Sequence, residues 1–301
     1  MNQIQVTILS IIIMIAVGYV LKRIDFLSEN DIDPLNKVVM YILLPCMIFH
    51  ALFSADLSLL SNLEVLPLVI LGASFTTGII SYFILKQFNL DDITLWSVLV
   101  TVMIANTGFM GYPVTLGIFG SDGFLRAIFC DIATSGIFLI LSFVLIIKFG
   151  GTAKTAVKKI AFFPPLWAVI LGLLFNLFNI QIGPVINNTV NYLGQGAIPI
   201  IMIALGLSID FSAIRRSRPM IVFTSIMKLA FFPLIAFIIA SQIGLVDLQY
   251  KISIVEAAMP SGMMSLLLAI TYNLDHELTS DCILINTVIS LITLPLIIMI
   301  L

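Results

Sequence analysis

"MIANTGFMGYPVTLGI", Met103 to Ile118, lies inside an apolar run and holds Asn106, Thr107, Gly108, Gly111, Pro113 and Gly117. Glycine and proline weaken or break helices, and asparagine and threonine bring polar groups. At membrane depth, irregular backbone is tolerated only where protein buries it or where it lines a watery cavity. Six such residues in twelve positions therefore predict a helix that is broken for a purpose.

The surrounding composition sets the solvent. The chain has 301 residues, 60% hydrophobic and only 10% charged, against about 25% charged in ordinary soluble domains. Apolar runs of membrane-spanning length recur from end to end, which predicts an all-α polytopic membrane protein embedded in the lipid bilayer. A net charge of −2 gives no footing for a nucleic-acid partner. Cys46, Cys130 and Cys282 sit in apolar runs without metal or disulfide spacing and read as buried thiols. The first residues lack a basic n-region, so no cleaved signal peptide is expected.

Ten transmembrane helices are expected, near Ile4–Leu21, Leu35–Phe53, Leu63–Phe88, Thr94–Phe119, Phe124–Phe149, Phe162–Asn179, Val190–Ile209, Pro219–Ile243, Ile252–Tyr272 and Ser280–Leu301. Basic residues test the count. The side reached after the first span receives 11 of the 14 Lys and Arg, including Arg215, Arg216 and Arg218; the other side receives Arg126 and Lys251; Lys228 lies within a span. The positive-inside rule makes the first side cytoplasmic and puts both termini outside a multi-pass protein of the cell membrane.

The chain also resembles itself. At an offset of 154 residues Gly18 falls on Gly172, Pro45 on Pro199 and Gly108 on Gly262. The expected organisation is a 5+5 inverted-topology repeat, 1–149 and 162–301, joined by a short cytoplasmic linker at 150–161. The opening stretch then has a partner, "EAAMPSGMMSLLLAI" at Glu256–Ile270. Helices 4 and 9 are both broken, run antiparallel and cross near the midplane. Free N–H groups at the start of each second half-helix suit an anion; free carbonyls at the end of each first half suit a cation. Asn106 and Thr107 would precede the gap, and Pro113 would restart the helix.

Ionisable residues within spans are functional candidates by default. Asp131, followed by Thr134 and Ser135, is read as facing substrate or ion, with a salt bridge that only holds helices together as the alternative. Glu256, one turn before Pro260, suits a cation or a proton, or reaches water at the outer leaflet. Lys228 would snorkel, pair with Asp131 or Glu256, or attract the substrate. Asn286 would line the same cavity or bond between helices. His50, near the outer end of span 2, reads as interfacial.

"NTGFMGYPV" and "AMPSGMMSLLLAITYN", with "YILLPCMIF" before and "KLAFFPL" between, resemble the auxin efflux carrier family, over nearly the whole chain. The most specific elements are Asn106-x-Gly108-x-x-Gly111-x-Pro113 and Met259-Pro260-Ser261. The resemblance implies a bile-acid/sodium symporter-like fold of ten helices, with scaffold and transport domains. It implies secondary transport of small organic anions such as malate, malonate or auxin-like acids, and makes a homodimer plausible. The short middle connection matches the bacterial type. The chain departs from the family at Gly262-Met263-Met264, where a polar step is usual.

The expected function is therefore ion-coupled carriage of a small carboxylate by alternating access of an elevator-like transport domain. Substrate would meet Asn106, Thr107, Gly108, Gly111, Pro113, Pro260, Ser261 and Gly262. Na⁺ or H⁺ would couple through the charged intramembrane residues. No other cofactor and no metal site is expected. A channel or a ligand sensor is the alternative. No zinc, aspartyl-protease or Ser–His pattern supports an enzyme.

Overall fold

A computed structural model describes residues 3–56, 63–151, 162–209 and 218–301. Lipid offers the backbone no hydrogen bonds, so an apolar chain must satisfy its own N–H and C=O groups, and helices do so locally. The described residues are all-helical apart from connections and one isolated antiparallel bridge. The helices are α1 (Gln3–Arg23), α2 (Ile32–Val38), α3 (Leu44–Phe53), α4 (Leu66–Lys86), α5 (Asp92–Met103), α6 (Tyr112–Phe149), α7 (Pro164–Leu177), α8 (Gly183–Gln195), α9 (Ala197–Ser208), α10 (Arg218–Ile226), α11 (Phe232–Ile243), α12 (Asp247–Ala257), α13 (Met263–Thr271) and α14 (His276–Ile300).

Among the described residues, seven helical stretches are long and apolar enough to cross a membrane, and α5 and α7 are shorter apolar helices. The difference from the expected ten has physical causes. Two expected spans are interrupted, so their halves are short. Spans 4 and 5 run together through α6, which bends at Gly120 (φ 67°, ψ −162°), a left-handed value that favours glycine. The expected linker, together with Arg215 and Arg216, lies almost wholly outside the described residues.

Three π turns interrupt the helices: Val39–Leu43, Thr107–Gly111 and Met227–Phe231. Each ends two residues before a proline, Pro45, Pro113 and Pro233. Proline cannot donate a backbone bond and its ring strikes the carbonyl four residues back. Widening the preceding turn relieves that clash. The Leu44 and Phe232 N–H groups reach back five residues, to the Val39 and Met227 carbonyls. Pro113 therefore does not restart its helix. The helical path resumes at Thr107, and the proline shapes the turn behind it.

The chain divides into two compact units, each assembled from both halves of the sequence. Unit 1 comprises Met1–Asn62, Tyr112–Ile128 and Ile160–Ile209; unit 2 comprises Leu63–Gly111, Phe129–Lys159 and Asp210–Leu301.

In unit 1, α1 packs on α9 and α7 on α3. These pairs repeat one another at the 154-residue offset. A Cβ on Gly18 would strike the Ile203 carbonyl, and one on Gly172 would lie 3.1 Å from the Phe49 carbonyl oxygen. Residues 18 and 172 are offset counterparts, as are 49 and 203. Lys22 Nζ donates to the Ile209 carbonyl (3.4 Å), and Asn176 Nδ2 to that of Ala55 (2.8 Å). Those four positions correspond at the same offset. Lipid tails are as apolar as leucine, so close backbone approach and hydrogen bonds hold these helices rather than hydrophobic force.

Unit 2 packs α4 on α5 and α11, and α5 on α14. Leu85, Leu95, Val98, Val102, Leu278 and Cys282 belong to its buried core. The Asp91 carboxylate caps α5 by accepting from the Thr94 N–H (2.9 Å) and hydroxyl (2.8 Å). These two donors hold the Asp91 carboxyl below the usual carboxylate range. At the other end of α5, Ser74 Oγ donates to the Met103 carbonyl (2.9 Å), one of the acceptors a helix end leaves unmet.

Candidate functional site

Both breaks lie in unit 2, and they meet. α5 stops at Met103 and α12 at Ala257. Between them the chain segments pair as a short antiparallel ladder, with Ala105 opposite Ser261. The Asn106 N–H donates to the Pro260 carbonyl (2.8 Å), and the Gly262 N–H to that of Ile104 (2.9 Å). Four backbone groups at the breaks are thereby satisfied without helix. Asn106 and Pro260, at the centre of the ladder, are 154 residues apart, the same offset that relates the paired contacts of unit 1. A Cβ on Gly262 would come within 2.6 Å of the Ala105 carbonyl oxygen. Only a residue without a side chain lets the segments approach this closely.

Hydroxyls anchor each break to a following helix. Thr107 Oγ1 donates to Asp131 Oδ1 and lies 3.1 Å from Thr134 Oγ1. On the other side Asn286 Nδ2 donates to Ser261 Oγ (2.8 Å), and Ser225 Oγ donates to Asn286 Oδ1 (2.6 Å). Thr107 and Ser261 are again offset counterparts.

The Thr107–Gly111 turn is flanked by two carboxylates. A Cβ on Gly108 would rest 3.6 Å from Asp131 Oδ1, and one on Gly111 would overlap the Glu256 carboxylate. Glu256 is fully buried, and neither carboxyl oxygen has a hydrogen-bond partner among the described residues. It does not reach water at the outer leaflet. The Asn106 side chain is also buried.

The remaining candidates separate from this cluster. Lys228 neither snorkels nor forms an ion pair among the described residues. Its buried Nζ sits 3.5 Å from the Phe232 ring centre. Pro113 belongs to unit 1. Ser135 is half-buried and no hydrogen bond ties it to the others. Sequence reasoning missed Ser225 and Ser74. Ser74 could have been found, since it is the offset counterpart of Lys228, whereas nothing local marks Ser225. Among the described residues no group of three or more His, Cys, Asp or Glu side chains is placed to hold a metal ion.

The family model described as "Membrane transport protein" matches residues 3–156 and 148–298, nearly the whole chain. The chain belongs to this family. An "Uncharacterized transporter" of Methanothermobacter thermautotrophicus is 39% identical over 290 residues, 96% of each protein. One from Methanocaldococcus jannaschii is 36% identical over 296 residues, again 96% of each. "Auxin efflux carrier component 8" of Arabidopsis thaliana is 26% identical over 152 residues, 48% of this chain and 41% of that protein. The resemblance read from the two broken motifs is thus borne out: this is a membrane transporter of the auxin efflux carrier type, and its relatives are transporters rather than enzymes.

Proposed function

We propose that this family member is an ion-coupled secondary transporter of a small organic anion in the cell membrane. The ladder joining the two breaks carries the reading. It brings the ends of two interrupted helices close to a buried amide and two acids. In this reading the chain crosses the membrane ten times with both termini outside. Unit 2 is the moving, elevator-like transport domain and unit 1 the scaffold. The contacts in unit 1 that repeat at an offset of 154 support an inverted repeat, as does the centring of the ladder on Asn106 and Pro260.

Charge divides the crossing into two roles. Asp131 and Glu256 both approach the Thr107–Gly111 turn. Two acids repel an anionic substrate and attract a coupling Na⁺ or H⁺. The neutral side, with Ser261, Asn286 and the first turn of α13, leaves the helix N-terminus free to meet a carboxylate. Asn106, one residue from each role, would orient the substrate. Binding of both stabilises one arrangement, and movement of unit 2 exposes it to the other side.

Uptake of radiolabelled malate, malonate and an auxin-like acid into proteoliposomes tests this, under imposed Na⁺ or H⁺ gradients. The expected result is saturable, gradient-dependent uptake and counterflow, lost in Asn106→Ala. Flux that neither saturates nor shows counterflow would sink the carrier reading.

A further inference from the structure

Unit 1 contains a cavity of about 360 Å³ that neither the crossing nor the family motifs account for. It is walled by α3, by α6 on both sides of its Gly120 bend, and by α8 and the start of α9. Its apolar lining comes from Met47, Ala51, Leu116, Phe124 and Ile198; its polar lining from His50, Ser121, Asn191 and Gln195.

Local sequence builds this shape. Gly194 lets α8 close on α3, for a Cβ there would lie 2.9 Å from the Met47 Cα. Phe124 is fixed edge-on against Tyr112, ring centres 5.1 Å apart. The bend at Gly120 starts a new helical segment whose first residue, Ser121, faces the cavity. His50 makes no side-chain hydrogen bond to a described residue, and Gln195 bonds only to Asn191 (3.3 Å). Asp122 and Arg126 in the same first turns carry opposite charges, and neither lines the cavity.

The lining therefore offers amide, hydroxyl and imidazole groups, an aromatic and aliphatic wall, and no acid. Its volume falls in the range of small-molecule pockets, about 300–1,000 Å³. We propose that this cavity is a second ligand site, which takes a monocarboxylic acid with an aromatic or branched apolar body. His50 and Gln195 hold the carboxylate, and Phe124, Met47 and Leu116 cover the body. As a station for the transported acid it rests on the function proposed above. As a binding site it rests on unit 1 alone.

The test is calorimetric titration of the full chain, in lipid nanodiscs, with phenylacetate in the absence and presence of saturating malate. Malate lacks an apolar body and is not expected to fill this cavity. One phenylacetate per chain should remain bound under malate. Ala51→Trp, which fills the cavity, should abolish that remainder. His50→Ala should weaken it by about tenfold or more, the loss of one hydrogen bond to a charged group, and carries the test if Ala51→Trp does not fold. Complete displacement by malate, no phenylacetate binding, or indifference to both substitutions would overturn the proposal. If malate itself fails to bind, the carrier reading suffers while the response of phenylacetate to Ala51→Trp still decides this one.

Discussion

The two breaks share a backbone and differ in chemistry. Each ends a helix, pairs with the other through the ladder, and hands a hydroxyl to a later helix. Yet Thr107 meets the carboxylate of Asp131, while Ser261 meets the amide of Asn286. Glu256 sharpens the contrast. It belongs to the second half of the sequence but packs against Gly111 of the first. The two breaks thus present matching backbone, with the acids beside one and neutral donors beside the other. A symmetric frame with asymmetric charge can hold two unlike solutes side by side.

The strongest way to break this comparison is Gly111→Ala. Its methyl group would enter the space of the Glu256 carboxylate. A loss of about 1–3 kcal/mol is expected for such overpacking, read as a lowered midpoint in detergent thermal unfolding, with uptake abolished. Glu256→Ala in the same chain should recover most of the stability and none of the gradient dependence. Simple additivity of the two changes would show that the groups do not touch.

Next comes the pair of clamps. Asp131→Ala removes a charged acceptor, a hydrogen bond of about 1.5–3 kcal/mol, and Asn286→Ala a neutral one of about 0.5–1.5 kcal/mol. Asp131→Ala should therefore lower the unfolding midpoint more. In transport, Asp131→Asn should remove the response to the ion gradient, and Asn286→Ala should raise KM for the anion. The opposite assignment of the two kinetic effects would reverse the roles given to the two sides.

Unit 1 allows a milder comparison. Gly18→Ala meets a backbone carbonyl that cannot yield, whereas Gly172→Ala meets chiefly the Leu52 side chain at 2.9 Å. Thermal unfolding should show the larger loss for Gly18→Ala. The smallest effect belongs to Asp91→Ala, which removes an N-cap worth about 1 kcal/mol. Its folded-state carboxyl is held low, so its contribution is present above the ordinary carboxylate range and fades as pH falls through the lowered value. The difference between wild type and Asp91→Ala should accordingly shrink in acid.

Much of this frame could be read from the chain. Glycine and proline at Asn106–Pro113 and Pro260–Gly262 announced both breaks, because backbone irregularity is written in local residue types. The constant offset paired them, and Asp131, Glu256 and Asn286 stood out as polar groups in apolar runs. Contacts between distant positions were not legible. Nothing near Gly111 reveals that Glu256, 145 residues away, needs its missing side chain. A lysine in an apolar run suggests snorkelling, an acidic partner or an anionic substrate, yet the Nζ of Lys228 lies against the ring of a phenylalanine four residues on. The bend at Gly120 was hidden because a lone glycine in a membrane helix is common.

The π turns have a consequence in the language of sequence editing. A turn closed five residues back holds one residue more than an α turn closed four back. Each is therefore a stored insertion, and the proline two residues later is what makes the extra residue useful. Deleting one residue within Val39–Leu43 should restore ordinary winding and leave the downstream face of α3 in phase, but it returns Pro45 to its clash. Replacing Pro45 alone removes the reason for the turn without removing the residue. The two edits form a unit, and alignments of relatives should show the gap and the loss of the proline travelling together.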